Sequence, residues 1–304
     1  MAGHKFSAER MHGILNAIAD QLNIDPSDAH TLHMSNNAVY ALPNAGVVVR
    51  ITRSTTLHER VHNVVRLGQW LADIDAPTIR LTKGISQPAA YGDVLATVWD
   101  VLPPSDGPPT AKDLGTTLKE FHNVDVTGAD LPHWDPVGIA RKRIADGDLL
   151  TEDERHWLLA WCDRVAPQVD TLNTSVPKSL VHGDAHVGNL LRNPDSRTVF
   201  CDFDSTCIGP KGVDLASAAR AATRFGDRDK HRQLVDSYGY DVTTDPTWPI
   251  LREARDLAYV VSGVPLMASS EAIANEFRVR LNSVMTGDTD VRWTVYAKAA
   301  NAST

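Results

Sequence analysis

The stretch PPSDGPP, Pro103 to Pro109, constrains this chain more than any other feature. Its four prolines fix φ and remove amide donors, so neither a helix nor a sheet ladder can run through it. What lies on either side therefore has to fold as separate elements. Before it, apolar residues come in short β-like runs; after it, they recur at helical spacing. The break predicts a domain over residues 1–102 and a larger one over residues 103–304.

In the first part, Ala8–Leu22 reads as an amphipathic helix with Met11, Ile14, Leu15, Ile18 and Leu22 on one stripe. Strands are expected at Thr31–Met34, Asn37–Leu42, Val47–Ile51, Pro77–Thr82 and Asp93–Leu102, with a helix at Leu57–Ala72 whose inward face is Leu57, Val61, Val64, Val65, Gly68 and Leu71. This is a small antiparallel sheet interrupted by one helix. In the second part, helices are expected at Ala111–His122, Thr151–Val169, Val213–Arg224, Lys230–Tyr238, Ile250–Val261 and Glu271–Val284. Thr151 and Glu154 have the spacing of a capping box.

The chain of 304 residues has a hydrophobic share of 42 % and a charged share of 22 %, normal for a globular protein. Its net charge of −8 argues against nonspecific nucleic-acid or acidic-membrane binding. The longest apolar run, Ala258–Ala268, is too short to span a bilayer, and the charged MAGHKFSAER is no secretory signal. A cytoplasmic location is expected. Cys162, Cys201 and Cys207 make no disulfide framework and read as buried or incidental thiols.

Chemistry concentrates between Val181 and Asp214. HGDAHVGN, His182 to Asn189, puts His182, Asp184 and His186 at alternate positions, as a metal-binding strand would. Zinc would need a third or fourth soft ligand at suitable spacing. Only Cys201 and Cys207 lie nearby, and they flank Asp202 awkwardly. The segment LLRNPDSRTVF reads as a hairpin turning at NPDS, which would bring Asn189 close to Asp202. Oxygen ligands from Asn and Asp suit Mg²⁺ better than zinc, and a nearby Asp184 is placed to accept or orient a hydroxyl proton.

HGDAHVGN, then CDFD (Cys201–Asp204), then GPKGVDLA (Gly209–Ala216) resembles the aminoglycoside phosphotransferase and choline kinase family, small-molecule relatives of the protein kinases. That family's pattern is H-G-D-x-H-x-x-N, an aspartate ending a strand, and G-P-x-x-x-D-L-A, with every polar position matched here. The resemblance implies an α+β, protein-kinase-like fold with a small antiparallel-sheet lobe containing one helix and a larger, mainly helical lobe. It implies Asp184 as catalytic base or positioning carboxylate, and Asn189 and Asp202 as ligands of Mg²⁺ on the phosphates of ATP. His182 and His186 become structural, His182 bracing the loop by hydrogen bonds to backbone near Asp202. Asp204 either reaches the substrate or a second Mg²⁺, or is solvated. Asp214 either caps its helix or helps hold the catalytic loop, a supporting role in both cases.

The nucleotide side fits less closely. There is no Walker A motif and no G-x-G-x-x-G, and the loop MSNNAV carries Ser35, Asn36 and Asn37 in place of glycines; Ser35 and Asn37 are its phosphate-side candidates. Arg50 stands where kinases carry a lysine that contacts phosphates; the other reading is a surface arginine on an edge strand. Glu59, the only acidic residue of the next helix before Asp73, lies opposite the Val61–Val64–Gly68 stripe, which leaves a pair with Arg50 open. By the same resemblance Trp99, Asp100 and Val101 form the hinge that reads adenine through backbone groups, with Trp99 stacking or simply core.

The resulting expectation is an ATP- and Mg²⁺-dependent phosphotransferase acting on a hydroxyl of a small molecule: a sugar, aminoglycoside, amino alcohol or natural product. The alternative is a catalytically silent, kinase-like nucleotide-binding regulator. The acceptor is expected to lie in the region after Gly212, with Arg224, Asp227, Glu253 and Asp256 as polar candidates; their mixed signs do not suggest a polycation site.

Overall fold

Side-chain alternation builds the first sheet. The computed structural model describes residues 7–34, 37–52, 58–103, 105, 107–193, 195 and 197–301. Helix α1 (Ala8–Leu22) starts at Ser7, whose hydroxyl accepts the Arg10 N–H at 3.2 Å. Strands β1 (His30–Met34), β2 (Asn37–Leu42) and β3 (Val47–Thr52) follow, then α2 (His58–Asp73), β4 (Ala89–Tyr91) and β5 (Val94–Asp100). They form one antiparallel sheet in the order β1-β2-β3-β5-β4. Val47, Val49 and Ile51 of β3 turn to one face and pack with the buried Met11, Ile14, Leu15 and Ile18 of α1. Arg50 points to the other face. It sits on the central strand, opposite Val39 on one side and Thr97 on the other, which overturns its reading as an edge-strand arginine.

Helix α2 buries Val61, Val64, Val65, Leu67 and Leu71. Gly68 lets it approach the sheet, since a Cβ there would lie 3.1 Å from Leu81 and 3.2 Å from Trp99. Leu57, expected on that face, lies outside the described residues, as do Ser35 and Asn36. The strand expected at Pro77–Thr82 is reduced to isolated bridges, Thr78 to Phe200 and Leu81 to Trp99. Its backbone changes neighbours midway: the Ile79 N–H donates to Phe200, the Thr82 N–H to Val98. Neither ladder extends far enough to make a strand.

After the proline-rich stretch come α3 (Ala111–His122), α4 (Pro136–Ala145), α5 (Glu152–Ser175) and β6 (Lys178–Val181). The Thr151–Glu154 capping box forms, and Thr110 with Asp113 makes a second one at the start of α3. Helix α5 runs past its expected end at Val169, with Pro167 inside it. Helix α4 was not expected, although Val137, Ala140 and Ile144 share one face and Asp135 caps it. The hairpin β7 (Leu190–Arg192) and β8 (Thr198–Phe200) pairs Leu190 with Phe200; Pro194 and Ser196 of its turn lie outside the described residues. Strand β9 (Cys207–Pro210), antiparallel to β6, leads into α6 (Gly212–Arg224), α7 (Arg228–Tyr238), α8 (Trp248–Val261), α9 (Glu271–Met285) and α10 (Tyr296–Asn301).

Packing divides the chain into two units, Met1–Pro108 with Leu190–Asp204, and Pro109–Asn189 with Ser205–Thr304. The sequence-based division put everything after residue 102 in the second domain; by packing, residues 190–204 group with the first. Phe200 explains this: it is fully buried, and its backbone exchanges hydrogen bonds with Pro77 and Ile79. The second unit is held by a helical core including Trp161, Leu158, Val165, Leu257, Val260 and Phe277. Among the described residues no helix is long and apolar enough to cross a membrane.

Candidate active site

The loop that leaves β6 is built around a buried carboxylate in the second unit. Asp214, in the first turn of α6, is 1 % exposed and turns away from its own helix. Its Oδ2 accepts the His182 N–H and its Oδ1 the Gly183 N–H, each at 2.8 Å. Helix capping by Asp214 is therefore overturned: the cap position of α6 is Lys211, and the Asp214 carboxylate fastens the loop instead. His122, at the end of α3, reaches Asp214 Oδ2 through Nε2 at 3.1 Å, while its Nδ1 lies 2.9 Å from the Tyr238 hydroxyl of α7. Burial alone would raise the Asp214 pKa, but His122 and the His182 N–H outweigh it and hold the carboxyl below its ordinary 3.8.

The rest of the loop follows from this anchor. Gly183 adopts φ 80°, and a Cβ there would lie 2.3 Å from the Ser205 carbonyl, so only glycine fits. Arg255 of α8 donates to the carbonyls of Gly183 and Val213. His182 is fully buried with its ring against Phe121, which suits a structural part. Asp184 points outward with its side chain 57 % exposed, and His186 Nε2 lies 3.9 Å from its Oδ2. Asn189 is buried and folds back on the same loop, its Nδ2 donating to the Asp184 carbonyl at 3.0 Å. That bond uses the amide's nitrogen and leaves Oδ1, a hard acceptor of the kind Mg²⁺ takes.

The first unit holds a second constellation. Arg50 grips Asp204 with both terminal nitrogens, Nη1 at 2.9 Å from Oδ1 and Nη2 at 2.6 Å from Oδ2, and Nη2 lies 3.4 Å from Asp202 Oδ1. Arg60 of α2 adds Nη2 to Asp204 Oδ2 at 3.0 Å. Asp204 is only 16 % exposed, which overturns its reading as a solvated carboxylate. Burial raises its pKa, but Arg50 and then Arg60 outweigh that and keep it below the ordinary value. Burial likewise pulls Arg50 down, and Asp204 outweighs it in the other direction. Asp202 is half-exposed and in the left-handed region at φ 61°, which aspartate tolerates better than most residues.

Glu59, whose pairing with Arg50 the sequence leaves open, is exposed, and the carboxylate that Arg50 grips is Asp204. Sequence reasoning passed over Arg60, which lies one turn before the buried Val64 and is itself half-exposed. Trp99 is 4 % exposed, packs edge-to-face on Phe203 at 5.7 Å and donates to Thr97; it is core, not a stacking platform. The Asp100 N–H donates to Arg80 and the Val101 N–H to Gly46, so both hinge donors are used within the unit. Asn37 opens β2 opposite Thr52.

The four polar candidates for an acceptor site do not converge. Asp256 is buried in a bidentate pair with Arg220, Glu253 accepts from Trp161, Asp227 pairs with Lys230, and Arg224 is buried over the Trp293 ring. Each has a partner within the unit. The thiols of Cys201 and Cys207 are both pushed up to about 12, chiefly by burial, which keeps them protonated at neutral pH.

A sequence profile of the phosphotransferase enzyme family (APH) matches residues 33–253, spanning β1 to α8 and both constellations. The chain belongs to that family. Solved structures share its fold at low sequence identity. Choline kinase LicA from Streptococcus pneumoniae aligns with a TM-score of 0.67 at 12 % identity, over 91 % of this chain and 99 % of that one. Amicoumacin kinase hAmiN, solved with AMP-PNP, Ca²⁺ and Ami, gives 0.64 at 14 %, over 95 % and 99 %. The aminoglycoside phosphotransferase APH(3'')-Id from Streptomyces rimosus gives 0.60 at 16 %, over 82 % and 98 %. No curated protein sequence matches the chain. The phosphotransferase thus has the expected protein-kinase-like α+β fold, with an antiparallel sheet in its N-terminal region and a helical C-terminal region.

Proposed function

We propose that this phosphotransferase moves the γ-phosphoryl group of ATP to a hydroxyl of a small molecule. The observation that carries the reading is the Asp184 loop. Its main chain is pinned by Asp214 while the Asp184 carboxylate stays open to a reactant. A fixed backbone with an exposed carboxylate is what a positioned proton acceptor requires. Asp184 takes or orients the hydroxyl proton as the acceptor oxygen bonds to the γ-phosphorus and the bond to the ADP oxygen breaks. Phosphoryl transfer leaves the protein little covalent work, so alignment and charge neutralisation are its contribution.

Asn189 and Asp202 offer hard oxygens that fit Mg²⁺, which when bound supplies charge neutralisation on the phosphates. Arg50 serves as the phosphate-side cation. With the N–H groups of Asp100 and Val101 engaged, the Asp100 carbonyl and the Leu102 N–H are the main-chain groups we assign to the adenine edge. The acceptor is a small hydroxylated molecule; the internally paired carboxylates of α8 speak against a polycation held there.

The test incubates the protein with ATP, Mg²⁺ and a library of hydroxylated compounds, with Asp184→Asn as control. Acceptor-dependent ADP release by the wild type is expected, and a fall of roughly 10²–10⁴-fold in the variant. Equal release by both proteins under every condition would sink the proposal. Nucleotide binding without transfer to any acceptor would instead mark a silent regulator.

A further inference from the structure

The carboxylate that holds Arg50 comes from the segment after β8 and not from α2. Asp204 is clasped from two elements at once, by Arg50 of β3 in a bidentate pair and by Arg60 of α2 on the same Oδ2. Its own backbone is anchored too, because the neighbouring Phe203 is 2 % exposed and packed edge-to-face on Trp99 of β5. Arg50 also comes within 3.4 Å of Asp202, two residues before Asp204. Strand, helix and segment of one unit thus meet at a single carboxylate. An arginine fork held on both tines by a carboxylate has its plane fixed, which a point-charge lysine pair would not achieve.

We propose that Asp204 is a positioning residue: it sets the guanidinium plane of Arg50 for nucleotide phosphate and, through Arg60, ties α2 to the segment that carries Asp202. The inference rests on the nucleotide-dependent reading above. A carboxylate clasped by two guanidinium groups is also the arrangement a bound phosphate would make, so a plug that nucleotide displaces is the rival role. The two roles predict opposite signs. Removing a plug tightens nucleotide binding, and removing a positioning group weakens it. The anchored Phe203 favours positioning, since a plug has to leave.

Calorimetric titration of the full chain with AMP-PNP and Mg²⁺ separates them. Asp204→Asn is expected to weaken binding by about ten-fold or more, and Asp204→Glu to recover part of the loss. Arg60→Ala is expected to cost less, and the double variant Asp204→Asn with Arg60→Ala no more than Asp204→Asn alone, because Arg60 acts through Asp204. Circular dichroism checks that each variant is folded; if Asp204→Asn is not, unchanged affinity in Arg60→Ala overturns the proposal by itself. Equal or tighter binding by folded Asp204→Asn overturns it, and fully additive losses overturn the link through Arg60. A wild type that binds no AMP-PNP removes the nucleotide-dependent reading and this inference with it.

Discussion

Asp214 fastens the loop that carries Asp184 through main-chain groups alone. Both its oxygens accept main-chain N–H groups of the loop, and His122 holds one of them from behind. Its carboxyl is kept below the ordinary 3.8 in the folded chain, so its contribution is complete above that value and fades as pH falls through the lower folded one. Urea midpoints measured from pH 6 down to about pH 2 should therefore drop below 3.8, and drop less in Asp214→Asn, which has already lost the interaction. Gly183→Ala should cost about 1–3 kcal/mol in the same assay, from a left-handed φ and a Cβ set against Ser205. The polar positions of the motif could be picked out through the family resemblance. Their partners could not: His122 is 92 residues from Asp214, and nothing local marks the pair. Arg60 stands one turn before the buried Val64, but its partner Asp204 is remote in sequence, so nothing local marks that pair either.

The main elements were legible because their periodicities are strong, α1 and α3 to the residue. The failures have physical causes. Residues 77–82 change pairing partners partway, which no single-strand pattern reveals. Helix α4 is short, with a modest apolar face. Pro167 sits inside α5 without ending it. The β7–β8 hairpin was readable, but the packing of Phe200 with residues far upstream was not. Phe200→Ala should destabilise the chain by about 3–5 kcal/mol, seen as a lower denaturant midpoint with little change in slope.

For the whole molecule, the order of segments matters more than their number. The first unit is assembled from two stretches separated by residues 109–189, so the chain passes between units three times. A fragment ending at Pro108 lacks Phe200, Phe203 and the carboxylate that neutralises Arg50 and Arg60. It should show no cooperative thermal melt, where the full chain does; a sharp transition in the fragment would show that the hairpin is dispensable.

The detour through residues 109–189 also has a consequence for biosynthesis. As the ribosome releases the chain, all five strands of the first unit's sheet emerge early, but the unit's packing stays incomplete until Asp204 has followed. For that interval the unit lacks Phe200 and Phe203, which close against residues 77–79 and Trp99, and a nascent unit with unfinished packing is exposed to aggregation and chaperone capture.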